Sequence, residues 1–130
     1  MRLVHGGNNF VTLTKRAHFV KIQASETKFI TPRIILLGIP LGALDLPLIP
    51  QQFYIGFTVT KTIGGAVERN SVKRRLRQLL PEALSLHGNP LAAYAVIARK
   101  AALKADFTDL QTDLQRGVKY LCSKHSFLPS

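Results

Sequence analysis

The residues from Phe53 to Thr60 alternate in polarity, those after Gly65 follow a helical period, and this switch constrains the fold more than any other feature of the chain. Phe53, Ile55, Phe57 and Val59 face one way; Tyr54, Gly56, Thr58 and Thr60 face the other, as in a half-buried strand. Gly64-Gly65 follows as a turn. From about Ala66 to at least Leu80 the spacing predicts a helix, with Val72, Leu76, Leu79 and Ala83 forming its core-facing stripe. A strand that feeds such a helix through a glycine turn needs a sheet for the helix to cover. Pro81 has no amide to donate inside a helix, so a bend or break is expected at Leu80.

The remaining segments extend the pattern. Residues 1–12 read as loosely ordered, because Gly6, Gly7, Asn8 and Asn9 follow one another. Thr14 is a candidate cap for a helix with Leu13, Ala17, Val20 and Ala24 on a narrow apolar stripe and Phe19 off it. Phe29–Ile39 reads as a strand, and Pro32 restricts it to an edge or a strand entrance. Residues 38–52, with Pro40, Pro47 and Pro50, read as an extended leucine-rich loop. His87–Pro90 is a loop and Tyr94–Arg99 a strand. Asp106 is a candidate cap for a final helix that buries Phe107, Leu110, Leu114, Val118 and Leu121. Gly117 should weaken that helix by roughly 1 kcal/mol relative to alanine. The order helix, strand, strand, helix, strand, helix places the chain in the α+β class. The expected architecture is a two-layer sandwich of a small mixed sheet with about three helices, as one domain over residues 1–130.

Charge points to the partner. The chain carries 18 Lys plus Arg against 7 Asp plus Glu, a formal net charge of +11, so it attracts polyanions. Between Lys61 and Arg77 stand Lys61, Arg69, Lys73, Arg74, Arg75 and Arg77, with only Glu68 to oppose them. At about 100° per residue, Arg69, Lys73 and Arg77 stack in one row, and Asn70 and Arg74 lie in the next. Arg75 falls on the opposite edge. These cations form a ridge at the border between core and solvent, where stems stay packed while heads reach phosphates. The Gly64-Gly65 turn offers backbone amides at the helix start, where an anion is favoured. The plain alternative is a solvated amphipathic helix; a ridge this dense with so little compensating acid favours nucleic acid.

Other chemistry is sparse. Cys122 is the single cysteine, which excludes an internal disulfide and a cysteine-rich zinc site. His5, His18, His87 and His125 are scattered, so no protein-held metal site is expected. Asp106, Asp109 and Asp113 share roughly one helix face and read as solvated acids near a helix N-terminus. Walker and nucleophile-elbow patterns do not occur, and no catalytic residues are assigned. The start of the chain lacks the apolar core of a signal peptide and no run is long enough to span a membrane, so the cytoplasm is the expected compartment.

At the basic helix the residues match a known pattern. G-F-T-V-T-K-T-I-G-G-A-V-E-R-N-S-V-K-R-R-L-R resembles the signature of the bacterial ribonuclease P protein component: a strand, a glycine turn, then A-V-x-R-N-R-x-K-R-x-x-R. L-T-K-R-A-H-F and Y-A-V-I-A-R-K-A-A resemble that family's N-terminal segment and later strand, so the likeness runs from Leu13 to about Leu121. The resemblance implies a left-handed β-α-β crossover and binding to a catalytic RNA that, with Mg²⁺ held mainly by that RNA, removes the 5′ leader of precursor tRNA. It implies RNA contacts from Lys61, Arg69, Asn70, Lys73, Arg74 and Arg77. It also implies a leader groove lined by Phe19 and rimmed by Lys15 and Arg16; Phe19 as a core residue on the sheet is the alternative. No membrane and no obligate protein partner is expected. Ser71 replaces the second arginine of R-N-R, and Gln23 stands where a second groove aromatic is common. A non-catalytic RNA-binding protein associated with the ribosome or another structured RNA is the second reading. A DNA-binding regulator is the weakest, because no short turn links a preceding helix to the basic one.

Overall fold

The computed structural model describes residues 2–25 and 27–124, with side chains from Val4 onward. The elements are β1 (Arg2–His5), β2 (Asn8–Thr12), α1 (Arg16–Gln23), β3 (Lys28–Ile30), β4 (Ile34–Pro40), β5 (Gln52–Thr58), α2 (Ala66–His87), β6 (Ala92–Ala98) and α3 (Phe107–Lys124). Single 3₁₀ turns follow β4 (Leu41–Leu44) and β6 (Lys100–Ala102). Among the described residues the strands form one mixed sheet in the order β1-β2-β5-β6-β4-β3. The pairs β2–β5 and β5–β6 are parallel and the others antiparallel. Helix α2 makes the connection between β5 and β6, giving the β-α-β unit of an α+β sandwich.

The main core lies between the sheet and α2 with α3. Val72, Leu76, Leu79, Ala83 and Leu84 of α2 and Leu110, Leu114, Val118 and Leu121 of α3 pack on Ile34, Leu36, Phe53, Ile55, Tyr94 and Val96. Burying each large side chain stabilises by about 1.5–3 kcal/mol before chain entropy is charged against it. A second, smaller cluster occupies the other face, where α1 and the first 3₁₀ turn cover Leu37, Tyr54, Ala93 and Ala95. Strand β5 alternates as expected, but Tyr54 and Gly56 are buried too, because α1 covers them.

Several segments depart from the sequence reading. Residues 2–12, read as loose, form the hairpin β1–β2. Gly6 (φ 57°) and Gly7 (φ 80°) supply the paired positive φ angles that a two-residue hairpin turn requires. Phe10 is fully buried and stacks on Phe53 at 5.2 Å, which ties the hairpin to the sheet.

Phe29–Ile39 is two strands rather than one. Thr31, Pro32 and Arg33 turn the chain, and the Thr31 hydroxyl oxygen accepts from the amides of Arg33 (3.2 Å) and Ile34 (3.1 Å). Asp113, expected in solvent, is buried and holds this turn: Arg33 donates to its carboxylate at 2.8 and 3.1 Å, and the Thr31 hydroxyl at 3.0 Å. That pairing raises the Arg33 pKa.

The 38–52 loop is shorter than expected, since β4 continues to Pro40 and Leu41 and Leu44 bury themselves beneath α1. Nor does Pro81 break α2, which runs unbroken from Ala66 to His87. One missing hydrogen bond is outweighed by the burial of Leu79, Leu80, Pro81, Ala83 and Leu84 around it. The stripe assigned to α1 is rotated: Ala17, Val20 and Ala24 are exposed, while Ile22 is buried and Phe19 half-buried. Phe107 is exposed as well. Gly117 has a packing role, for a Cβ there would fall 2.8 Å from Phe29 and 2.9 Å from Leu36. Among the described residues no helix is long and apolar enough to cross a membrane. His125 lies outside the described residues.

Candidate nucleic-acid interface

Because β2, β5 and β6 are parallel neighbours, their C-terminal ends share one end of the sheet. Lys15 and Arg16 follow β2, Lys61 follows β5, and Arg99 and Lys100 follow β6. Helix α2 starts from the same end, bringing Arg69 in its first turns to this cationic rim. Arg77 lies two residue rows further along the helix, about 12 Å from Arg69 at 1.5 Å per residue. Strand direction thus places Lys15, Arg16, Lys61 and the start of the α2 ridge, far apart in sequence, at one end of the sheet. Arg99 and Lys100 were not singled out from the sequence; their position immediately after an apolar strand was the available signal.

The free and the engaged cations separate cleanly. Lys61, Asn70, Arg74 and Arg77 are exposed, and Arg69 and Lys73 are half-buried. Among the described residues the side chains of these six make no hydrogen bond or ion pair, and Lys15 and Arg16 are likewise exposed and unpaired. Arg75 behaves differently. Its guanidinium donates to the carbonyls of Ala105 (2.7 Å), Leu103 (3.3 Å) and Ala102 (3.4 Å), fastening the loop before α3 to the basic helix. Arg99 donates to the Thr31 carbonyl at 3.0 Å. Ser71 is half-buried beside the ridge.

The amides at the start of α2 are less available than the sequence suggested. Glu68 folds back over the glycine turn, where the Gly65 amide donates to its carboxylate at 3.3 Å. Gly64 has φ 158°, where a side chain is strained, and a Cβ there would lie 2.5 Å from the same carboxylate and push it aside. Glu68 therefore supplies one half of a capping box, and anion capture at this end falls to side chains.

On the other face, beside α1, Gln23, Lys28, Ile35, Leu37 and Ile97 line a groove of about 300 Å³. Its floor is aliphatic and its rim carries an amide and an ammonium group. Phe19 is not in that lining. Its ring lies on Gly56 of β5, so close that a Cβ on Gly56 would fall 2.7 Å from Cε1. The half-buried ring is therefore both a sheet contact and a partly open surface at the N-terminal end of α1. Lys28, Ile35 and Ile97 were missed from sequence because only the pairing of β3, β4 and β6 brings them to one face, with Lys28 opposite Leu37 and Ile35 opposite Ile97.

Among the described residues no three His, Cys, Asp or Glu side chains cluster to hold a metal ion. The buried carboxylate of Asp113 is already committed to Arg33 and Thr31.

Comparison with known proteins gives a consistent result. The sequence profile of the family described as Ribonuclease P matches residues 8–122. The chain is 35% identical over 107 residues to the ribonuclease P protein component of Paramagnetospirillum magneticum, covering 82% of this chain and 79% of that protein. It is 40% identical over 115 residues to that of Geobacter sp., covering 88% and 90%. Among solved structures, the RNase P protein of Staphylococcus aureus superposes with a TM-score of 0.68 at 23% identity, over 85% of this chain and 94% of that one. The Thermotoga maritima protein gives 0.67 at 20% identity, over 84% and 96%. These structural likenesses establish the fold, and the sequence matches establish the lineage: the chain belongs to the ribonuclease P protein family, the protein subunit of an RNA-based endoribonuclease.

Proposed function

We propose that the chain grips the catalytic RNA of ribonuclease P with the α2 ridge and receives the 5′ leader of precursor tRNA beside α1. It thereby assists the Mg²⁺-dependent cleavage that removes the leader, in the cytoplasm. Lys61, Arg69, Lys73, Arg74 and Arg77 neutralise RNA phosphates, and Asn70 donates and accepts within the same row. Lys15 and Arg16, which flank the start of α1 outside the groove lining, hold the leader backbone, and the exposed part of Phe19 offers a base a stacking surface. The observation that carries the reading is the absence of internal partners for the ridge cations among the described residues, while Arg33, Arg75 and Arg99 are all engaged.

In this reading the catalytic RNA holds the ion. Mg²⁺, when bound there, stabilises charge that develops at the scissile phosphate. The protein's part is to bind, orient and reduce repulsion between two RNA backbones.

Reconstitution tests this directly. The purified chain, mixed with a bacterial ribonuclease P RNA at low Mg²⁺, should accelerate leader removal from a precursor tRNA. A protein that retards the RNA in a gel yet leaves the leader attached would be a plain RNA binder, and the proposal would fail.

A further inference from the structure

A second aromatic and basic surface lies across the edge of the sheet from the groove. Phe29 of β3 and Tyr120 of α3 meet at 5.7 Å between ring centroids, tilted by 47°. With Arg116, Lys119 and Ser123 they line a shallow depression of about 390 Å³. Arg116 and Lys119 are exposed, and Tyr120 is 39% exposed, a large fraction for an aromatic on a packed helix. The Lys124 ammonium lies 5.7 Å from the Tyr120 ring centroid. Phe29 is held from behind by Leu36 and by the close approach that Gly117 permits. The surface therefore combines a fixed ring, a half-open ring and three cations, with no carboxylate in the lining.

We propose that this surface binds single-stranded RNA: a base stacks on Tyr120 while Arg116, Lys119 and Lys124 hold the flanking phosphates. The chemistry is that of single-strand recognition, in which aromatic faces accept any base and cations track the backbone. Stacking outweighs an exposed cation–π contact, so an arriving base displaces the Lys124 ammonium from the ring and leaves it free for a phosphate. The location identifies the RNA. Neighbouring residues of a strand point to opposite faces, so Lys28 lines the groove beside α1 while Phe29 lines this depression. Only the three-residue edge strand β3 separates the two. A strand of RNA leaving the groove over that edge arrives at Tyr120. The surface is thus the binding site for the distal part of a long leader, an inference that rests on the proposed function above.

The test uses the holoenzyme and precursor tRNAs that differ only in leader length. Wild-type enzyme should bind a long-leader precursor more tightly than a short-leader one. Tyr120→Ala should cut affinity for the long leader by roughly five-fold or more and leave the short-leader precursor unaffected. Tyr120→Phe should retain the wild-type value. Lys119→Glu, an exposed change that leaves the core untouched, should repeat the length-dependent loss. Losses equal at both lengths, or no loss at either, would overturn the proposal. Cleavage of the short-leader precursor by the wild type reports separately on the underlying function.

Discussion

The ring of Phe19 rests on the Cα of Gly56, and this contact joins α1 to the central strand of the sheet. An added methyl group would fall 2.7 Å from Cε1 and 2.9 Å from Cζ, well inside van der Waals contact. Gly56→Ala must therefore push the ring outward or lift α1. Overpacking of this kind costs about 1–3 kcal/mol. Urea denaturation should show a lowered midpoint, and precursor binding should weaken in parallel. An unchanged midpoint would show that α1 is not seated on this strand.

Truncating the ring asks what its open side does. Phe19→Ala should impair precursor binding more than binding of the catalytic RNA alone, because the proposed leader surface includes the ring and the α2 ridge does not. The loss expected for one stacked base is about 1–3 kcal/mol. Equal weakening of the two affinities would assign Phe19 a purely structural role.

Arg74 and Arg75 are sequence neighbours with opposite fates. Arg75→Ala removes the donor to three carbonyls and should destabilise the fold by about 1–3 kcal/mol. Arg69→Ala with Arg74→Ala should leave stability within about 0.5 kcal/mol of wild type. The pair should instead weaken RNA binding and flatten its salt dependence by about one unit of slope per lost phosphate contact. Denaturation and salt titration of both variants separate the two roles, and a steep residual slope in the double variant would contradict the ridge.

Tyr94 gives the fold an alkaline limit. Burial, followed by its contact with Cys122 at 3.4 Å, raises its hydroxyl far above the ordinary 10.0. The folded state thus prefers the neutral phenol, whereas the unfolded chain ionises at the ordinary value. Stability from this group is complete below about pH 10 and declines as pH rises beyond it. Tyr94→Phe should remove that share of the decline while costing about 1 kcal/mol at neutral pH, where the Asn89 amide loses its acceptor. Parallel urea titrations across this range give the two slopes, and identical slopes would refute the assignment.

Periodicity read the elements of the core well and the edges poorly. The alternation of Phe53–Val59 and the stripe Val72–Leu76–Leu79–Ala83 both survive in the structure, because each buries a face large enough to dominate local preference. Pro81 misled the reading, since helix propensity counts one lost bond and tertiary burial counts several side chains. Gly6-Gly7 looked like looseness, yet positive φ at both positions makes a tight turn. On the candidate site, the helical ridge was legible because its residues lie within a few turns of one another. Of the groove only Gln23 was legible; Lys28, Ile35 and Ile97 were not, because they meet only through strand register. Asp113 and Arg33 likewise show their pairing only once α3 lies over the β3–β4 turn.

A row of like charges without internal counter-charges sets a thermodynamic link between this polypeptide and its RNA. Mutual repulsion along α2 would be relieved if phosphates bind there as proposed, and the nucleic acid would then act as a folding counterion. Its thermal midpoint should then climb with the concentration of the catalytic RNA, and climb most steeply in dilute salt. Copies made in excess of that RNA would then be the less durable ones, and stability itself would hold the two subunits near equal numbers.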